Sequence, residues 1–327
     1  MLNSKIVVIG GGTGTYNVLT GLKHLVSDLT VVVSMADSGG SAKKERDEFG
    51  LLPVSDVRKS LIALAEEEKD SELMRSLFNF RFDEGVGITG MTFGNLFLVA
   101  LSQVLGSQTK AIEEAGRILK IRGRVLPVSN ERTNLVAEYE NGLSVVGENE
   151  IDEPKHDGKL KIKKIYLLPA VKVSPEVLDA ISAAGLIILG PGDLYTTILP
   201  NLVVSGLAKA ITRSRAKKVY ICNLMTKYGQ TYGFTAAGHV KTLESYLGGC
   251  KLDKVIYNST SLPRPLLKRY ENEYDFPVAD DLPRNKSIIR GDFLAKRIIR
   301  RQKGDRLKRS FIRHDPEKLA AAIISLI

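Results

Sequence analysis

A strand-sized apolar run, Lys5 to Ile9, leads straight into Gly10-Gly11-Gly12-Thr13-Gly14, and a helix-periodic stretch from Thr15 to Leu25 precedes a second strand at Leu29 to Met35. This order of strand, glycine turn, helix and strand opens a βαβ unit, and its two strands must run parallel because the helix carries the chain back across the sheet. The rest of the chain keeps the same rhythm. Helical periodicity marks Val54 to Glu67, Ser71 to Phe78, Gly94 to Leu105 and Lys110 to Leu119. Further on come a helix at Pro175 to Ala184, a strand at Leu186 to Leu189, a helix at Asn201 to Thr212, and strands at Lys218 to Cys222 and Lys254 to Tyr257. Between Arg124 and Leu168 short alternating runs with a turn signal at Asn141-Gly142 predict a small antiparallel insertion over 124–168. Asp315 is placed to cap a closing helix, Pro316 to Ile327. The expected fold class is α/β: one doubly wound, mainly parallel domain over 1–327, carrying that insertion.

Several function classes are disfavoured. The longest apolar stretches are far shorter than the roughly 20 residues that span a bilayer, and the amino terminus lacks a secretory pattern, so a cytoplasmic protein is expected. Two cysteines, Cys222 and Cys250, are too few for a disulfide scaffold, and His24, His156, His239 and His314 are scattered without metal-ligand spacing. The net charge of +10 is confined to Arg284–Arg313, where twelve basic residues face two acids. That segment reads as a solvated face or as a contact for a phosphate-rich partner; nucleic acid is the less favoured partner.

In open α/β sheets ligands lie beyond the carboxyl ends of the strands, so three loops carry the chemistry. The Gly10–Gly14 turn allows close backbone approach, and the helix start after it offers unpaired N–H groups and partial positive charge to an anion. Its spacing departs from GxGxxG at Thr15, and no GKS or GKT follows, which disfavours a standard dinucleotide enzyme or P-loop NTPase. Asp37 and Ser38, in Ala36-Asp37-Ser38-Gly39-Gly40-Ser41, follow the second strand, where an acid can accept ribose hydroxyls or hold a divalent cation. Gly190 and Gly192 bend the chain after Leu189, and Tyr195, Thr196 and Thr197 supply hydroxyls at the next helix start. Asp56 with Arg58, Asn95 and Asn223 are weaker candidates over the same edge. Each loop also has a plain reading as a tight turn or a helix cap.

Taken together, IGGGTGTYNVLTGLK, ADSGGS, PVSDVRKSLIAL, GNLFLVAL, GPGDLYTTILPNLVV, VYICNLMTKYGQTYGF and RHDPEKL resemble the CofD-like family, over essentially the whole chain. That family holds the 2-phospho-L-lactate transferases and the bacterial gluconeogenesis factors, and Asp56-Val57-Arg58 and Cys222–Thr226 are more similar to the second branch. The resemblance implies a Rossmann-like fold and binding of UDP-sugars such as UDP-N-acetylglucosamine. It implies a part in carbon metabolism, cell shape and cell-wall synthesis, without an established reaction, and a homodimer is compatible with it. On that basis Gly11, Gly12, Thr13 and Gly14 line the phosphates, Asp37 and Asn223 contact nucleotide or sugar, and Tyr270 and Arg313 match positions implicated in nucleotide-sugar binding. The alternative is a Mg²⁺-dependent transferase of phosphorus-containing groups, with Asp37 as metal contact. Two positions depart from the family pattern: Ser38 stands where a second acid is usual, removing a possible metal ligand, and Asp193 adds negative charge where GPGS is usual.

Overall fold

The computed structural model describes residues 2–39, 51–67, 69–296 and 311–327. Ten strands lie among them: β1 (Leu2–Ile9), β2 (Val26–Val33), β3 (Arg124–Pro127), β4 (Asn134–Tyr139), β5 (Ser144–Val146), β6 (Ile162–Leu168), β7 (Leu186–Leu189), β8 (Lys217–Ile221), β9 (Lys254–Asn258) and β10 (Ile288–Gly291). Seven form the main sheet in the order β10-β9-β8-β7-β1-β2-β3, and every pairing in it is parallel. The strand order runs outward from β1 in one direction and from β7 in the other. Chain connections therefore diverge between β1 and β7, the topological switch point of a doubly wound sheet.

Alternation along the strands divides the core between the two faces. Ile6, Val8, Val31, Val33, Ile188 and Val219 pack under helices α1 (Gly12–Leu22) and α2 (Ser55–Leu64). Val7, Ile9, Val32, Ile187 and Leu189 point the other way, into a cluster that also contains Leu135, Ala137, Tyr139 and Ile165 of the insertion. Both faces are buried, which is why these strands read as continuous apolar runs.

The expected insertion boundary is corrected. Arg124–Pro127 pairs parallel with β2 at the edge of the main sheet, and the antiparallel sheet, ordered β5-β4-β6, begins only at Asn134. A four-residue strand is too short for its own periodicity to reveal a parallel partner. Asn141-Gly142 does turn β4 into β5, with Gly142 at φ 86°. The expected helix at 201–212 is interrupted: a π-helical turn over Leu194–Ile198 and a short helix at Leu199–Leu202 come first, and Gly206, at φ 101°, separates them from Leu207–Arg213. Strand β10 lies inside the basic segment, where charge conceals its apolar pair Ile288-Ile289. Asp315 caps the last helix, Pro316–Ile324, its Oδ1 accepting from the N–H groups of Glu317 and Lys318 at 3.0 and 3.1 Å. Within the basic segment, residues 297–310 lie outside the described residues, as do Gly40 and Ser41 of the second loop.

Candidate functional site: two glycine turns and an acidic rim

At the switch point the first and third loops meet. Helix α1 starts inside the glycine run, at Gly12, not at Thr15 as periodicity predicts. Gly12 has φ +64°, a conformation other residues enter only with strain, and Gly14 is pressed against the Pro191 carbonyl so closely that a Cβ there would collide with it. Thr15 is buried, and its Oγ1 finds no partner.

The anion position at this helix start is partly filled by the protein. Asp56, in the first turn of α2, accepts from the Gly12 N–H at 3.0 Å and from Lys59 Nζ at 3.1 Å, both through Oδ1. A Cβ on Gly11 would strike the same carboxylate. The expectation that all the glycine-turn amides are open to a ligand is thus corrected at Gly12. The N–H groups of Thr13 and Gly14, the next two in the turn, make no hydrogen bond among the described residues.

Further carboxyl groups gather around this edge. Asp37 Oδ1 accepts from the Gly39 N–H at 2.9 Å, and the Glu148 carboxyl lies beside it. Glu148 opens a short helix in the insertion, Glu148–Asp152, which is tied back by the Asn149 N–H donating to Ser38 Oγ at 3.1 Å. Burial, then the charge of Asp56, push the Asp37 carboxyl above its usual range; burial and the charge of Asp37 push Glu148 well above its own. Asp152 forms a second carboxyl pair with Asp193, which burial also pushes up. Lys227 lies between them, with Nζ 3.3 Å from Asp152 and 4.0 Å from Asp193, and the surrounding carboxylates outweigh burial to hold its ammonium above the ordinary value. Asp193 therefore faces Lys227 and Asp152 instead of confronting a phosphate unopposed.

The remaining candidates have other places. Asn223 Nδ2 donates to the Gly192 carbonyl at 2.8 Å and so fixes the third loop from the end of β8. Tyr195 and Thr196 are 4% and 6% exposed, and Gln230 holds both: its Oε1 accepts from the Tyr195 N–H at 3.2 Å and its Nε2 donates to Thr196 Oγ1 at 3.0 Å. These two residues build the turn instead of facing outward. Asn95 is 1% exposed, and its Oδ1 accepts from buried Arg58 Nε at 2.8 Å. It joins the helix Phe93–Leu105 to α2, its Nδ2 donating to Ser55 Oγ at 3.4 Å, one residue before Asp56. Tyr270 is buried, its hydroxyl accepting from the N–H groups of Phe311 and Ile312 at 2.8 and 3.1 Å. The Arg313 carbonyl accepts from the Ala295 N–H at 2.9 Å, and next to it His314 is buried with Nε2 unpartnered, burial lowering it to about 4.

Sequence reasoning missed Glu148, Asp152, Lys227 and Gln230. The i, i+4 spacing of Glu148 and Asp152 places both acids on one helix face, the signal that was available for them. Nothing local marks Lys227 and Gln230, because their roles arise only once the insertion packs on 227–230. A cavity of about 200 Å³ lies at the opposite, amino edge of β1–β3, lined by Lys5, Asp28, Arg124 and Asp179. It touches neither glycine turn, and Arg124 and Asp28 already pair across it at 3.7 Å.

The carboxylates offer hard oxygen donors of the kind Mg²⁺ prefers. Among the described residues no three acidic, histidine or cysteine side chains converge as a metal ligand set.

A parallel doubly wound sheet with two glycine turns meeting at its switch point is a Rossmann-like architecture. The model of the 2-phospho-L-lactate transferase CofD family matches residues 6–294, and the chain belongs to that family. It is 40% identical to the gluconeogenesis factor of Bacillus subtilis, across 99% of this chain and 98% of that one. The gluconeogenesis factor of Halalkalibacterium halodurans is 37% identical, with coverage of 99% and 97%. A crystal structure of a Bacillus halodurans protein superposes with a TM-score of 0.88 at 36% identity, covering 99% of this chain and all of that one. Among the described residues no helix is long and apolar enough to cross a membrane.

Proposed function

We propose that this protein binds a nucleoside diphosphate sugar, with UDP-N-acetylglucosamine the first ligand to test, and acts as a cytoplasmic regulator of carbon metabolism, cell shape and cell-wall synthesis. The observation that carries this reading is the pair of unpartnered N–H groups at Thr13 and Gly14, at a helix start, packed against the Pro191 turn at the switch point. Backbone donors and the helix dipole at such a place suit a diphosphate, while the acids of the rim suit sugar hydroxyls. Free Cys222 and Cys250 accord with a reducing compartment.

Binding at 100 times the dissociation constant stabilises a folded protein by about 2.7 kcal/mol, which a thermal melt registers readily. UDP-N-acetylglucosamine, UDP-glucose and UDP are expected to raise Tm. No shift with any of the three would remove the reading.

The accumulation of acids at Asp37, Asp56 and Glu148 favours a second reading, a transferase of phosphorus-containing groups. There Mg²⁺, held by Asp37 and by the ligand's own phosphates, would neutralise negative charge as the phosphoryl group moves. The two readings part at Asp56. If the site is a plain anion cradle, Asp56→Asn removes a competing charge and tightens nucleotide binding severalfold without Mg²⁺. If a metal bridges acids and phosphates, the same change weakens binding, and only when Mg²⁺ is present.

A further inference from the structure

Beside Lys227 the chain exposes aromatic rings that the glycine turns do not account for. Tyr274 is 50% exposed and Phe276 38% exposed; Tyr228 and Tyr232 are half-buried next to them. The Tyr228 and Tyr274 rings lie 5.1 Å apart at 31°, nearly face to face, and Tyr232 meets Phe276 edge-on at 6.1 Å. Two hydrogen bonds hold the segments together: Thr226 N–H donates to the Phe276 carbonyl at 2.7 Å, and Phe276 N–H to the Thr226 side-chain Oγ1 at 2.8 Å. Lys227, one residue from Tyr228, lies 4.0 Å from Asp193, which ties this aromatic segment to the third loop.

Tyr274 occupies a costly conformation. It follows the helix Arg264–Glu271 at φ +60°, the left-handed position where helices usually place glycine. A bulky side chain pays for that place in backbone strain, so the ring must contribute something that glycine cannot. Half of the residue is in solvent, so core packing is a small part of that contribution.

The polar surroundings select the guest. Asp157 accepts from the Tyr228 hydroxyl at 3.2 Å, and the Asp275 carboxylate accepts from the Tyr228 N–H. Carboxylates repel phosphate and accept from hydroxyls, while ring faces cover the C–H face of a neutral ring. Lys159 is exposed, with Nζ 5.7 Å from the Tyr274 centroid and 5.9 Å from that of Tyr232, near the outer limit of cation–π attraction, where a better-fitting group can displace it.

We propose that Tyr274, backed by Tyr228, is a stacking platform for the pyranose ring of the bound nucleotide sugar. The platform rests on the nucleotide-sugar reading and adds to it the residues that recognise the sugar. Calorimetric titration with UDP and with UDP-N-acetylglucosamine tests it on the full chain, comparing wild type, Tyr274→Gly and Tyr274→Phe. Glycine relieves the left-handed strain, so Tm is expected to hold or rise, which separates recognition from folding. The expected result is unchanged UDP affinity in all three, with the preference for the sugar nucleotide falling about five- to tenfold in Tyr274→Gly and surviving in Tyr274→Phe. If wild type binds UDP and Tyr274→Gly keeps the full preference, or loses UDP and UDP-sugar affinity alike, the platform is wrong and the nucleotide reading stands. If wild type binds neither probe, both fall together.

Discussion

The turns after β1 and β7 have the same sequence grammar, a buried strand followed by glycines and a helix start, yet the protein uses them differently. After β1 an 11-residue helix begins within the glycines, and two of its first N–H groups have no partner among the described residues. After β7 the chain enters a π-helical turn whose Tyr195 amide and Thr196 hydroxyl are already held by Gln230. The first turn leaves two amides without a partner among the described residues, while the second is braced from inside. The first turn is nearly all glycine while the second carries Pro191 and Asp193, and different residues pack on each.

The contrast can be tested by substitution. The largest effect is expected from Gly14→Ala, because its Cβ meets the Pro191 backbone and can be accommodated only by separating the two turns. A loss of about 3 kcal/mol in a denaturant melt is expected, together with loss of nucleotide binding. Gln230→Ala should cost about 2 to 3 kcal/mol by orphaning buried donors and acceptors of the β7 turn. Normal stability in that variant would show that the turn does not depend on Gln230.

Protonation gives a third test. Burial raises the Asp275 carboxyl to about 6, so the folded state holds a proton that the unfolded state releases near pH 4. The stabilising contribution is full below about pH 4 and is lost as pH rises through about 6, a change of about 2 kcal/mol. Buried His314, lowered to about 4, acts oppositely: its contribution is present above about pH 6.5 and lost as pH falls through 4. Asp275→Asn should remove the fall between pH 4 and 6 and leave the His314 slope, as urea midpoints measured across that window would reveal. The smallest effect is expected at Gly12→Ala. No atom lies within 4 Å of its Cβ position, so only the left-handed backbone is penalised, by about 1 kcal/mol.

Much of the fold was legible because its strands are buried on both faces: Lys5–Ile9 and Leu186–Leu189 declare themselves by apolar content alone. Arg124–Pro127 and Ile288–Gly291 were not, since edge strands four residues long carry too little pattern and the second is flanked by arginines and lysines. At the candidate site, glycines and Asp37 could be picked out from their place after strands. Their partners could not: Asp56 reaches Gly12 from 44 residues away, and Asp152 meets Gln230 across 78. Contacts at such separations are properties of packing. For the same reason the protein partners of Tyr195, Thr196 and Asn95, which lie 34 to 40 residues away in sequence, could not be read from the sequence.

The five-residue helix Glu148–Asp152 engages Ser38 at one end and Lys227 with Gln230 at the other. It is a crosspiece: strands β1 and β7 separate β2 from β8 in the sheet, and this short helix of the insertion links the loops that follow those two outer strands.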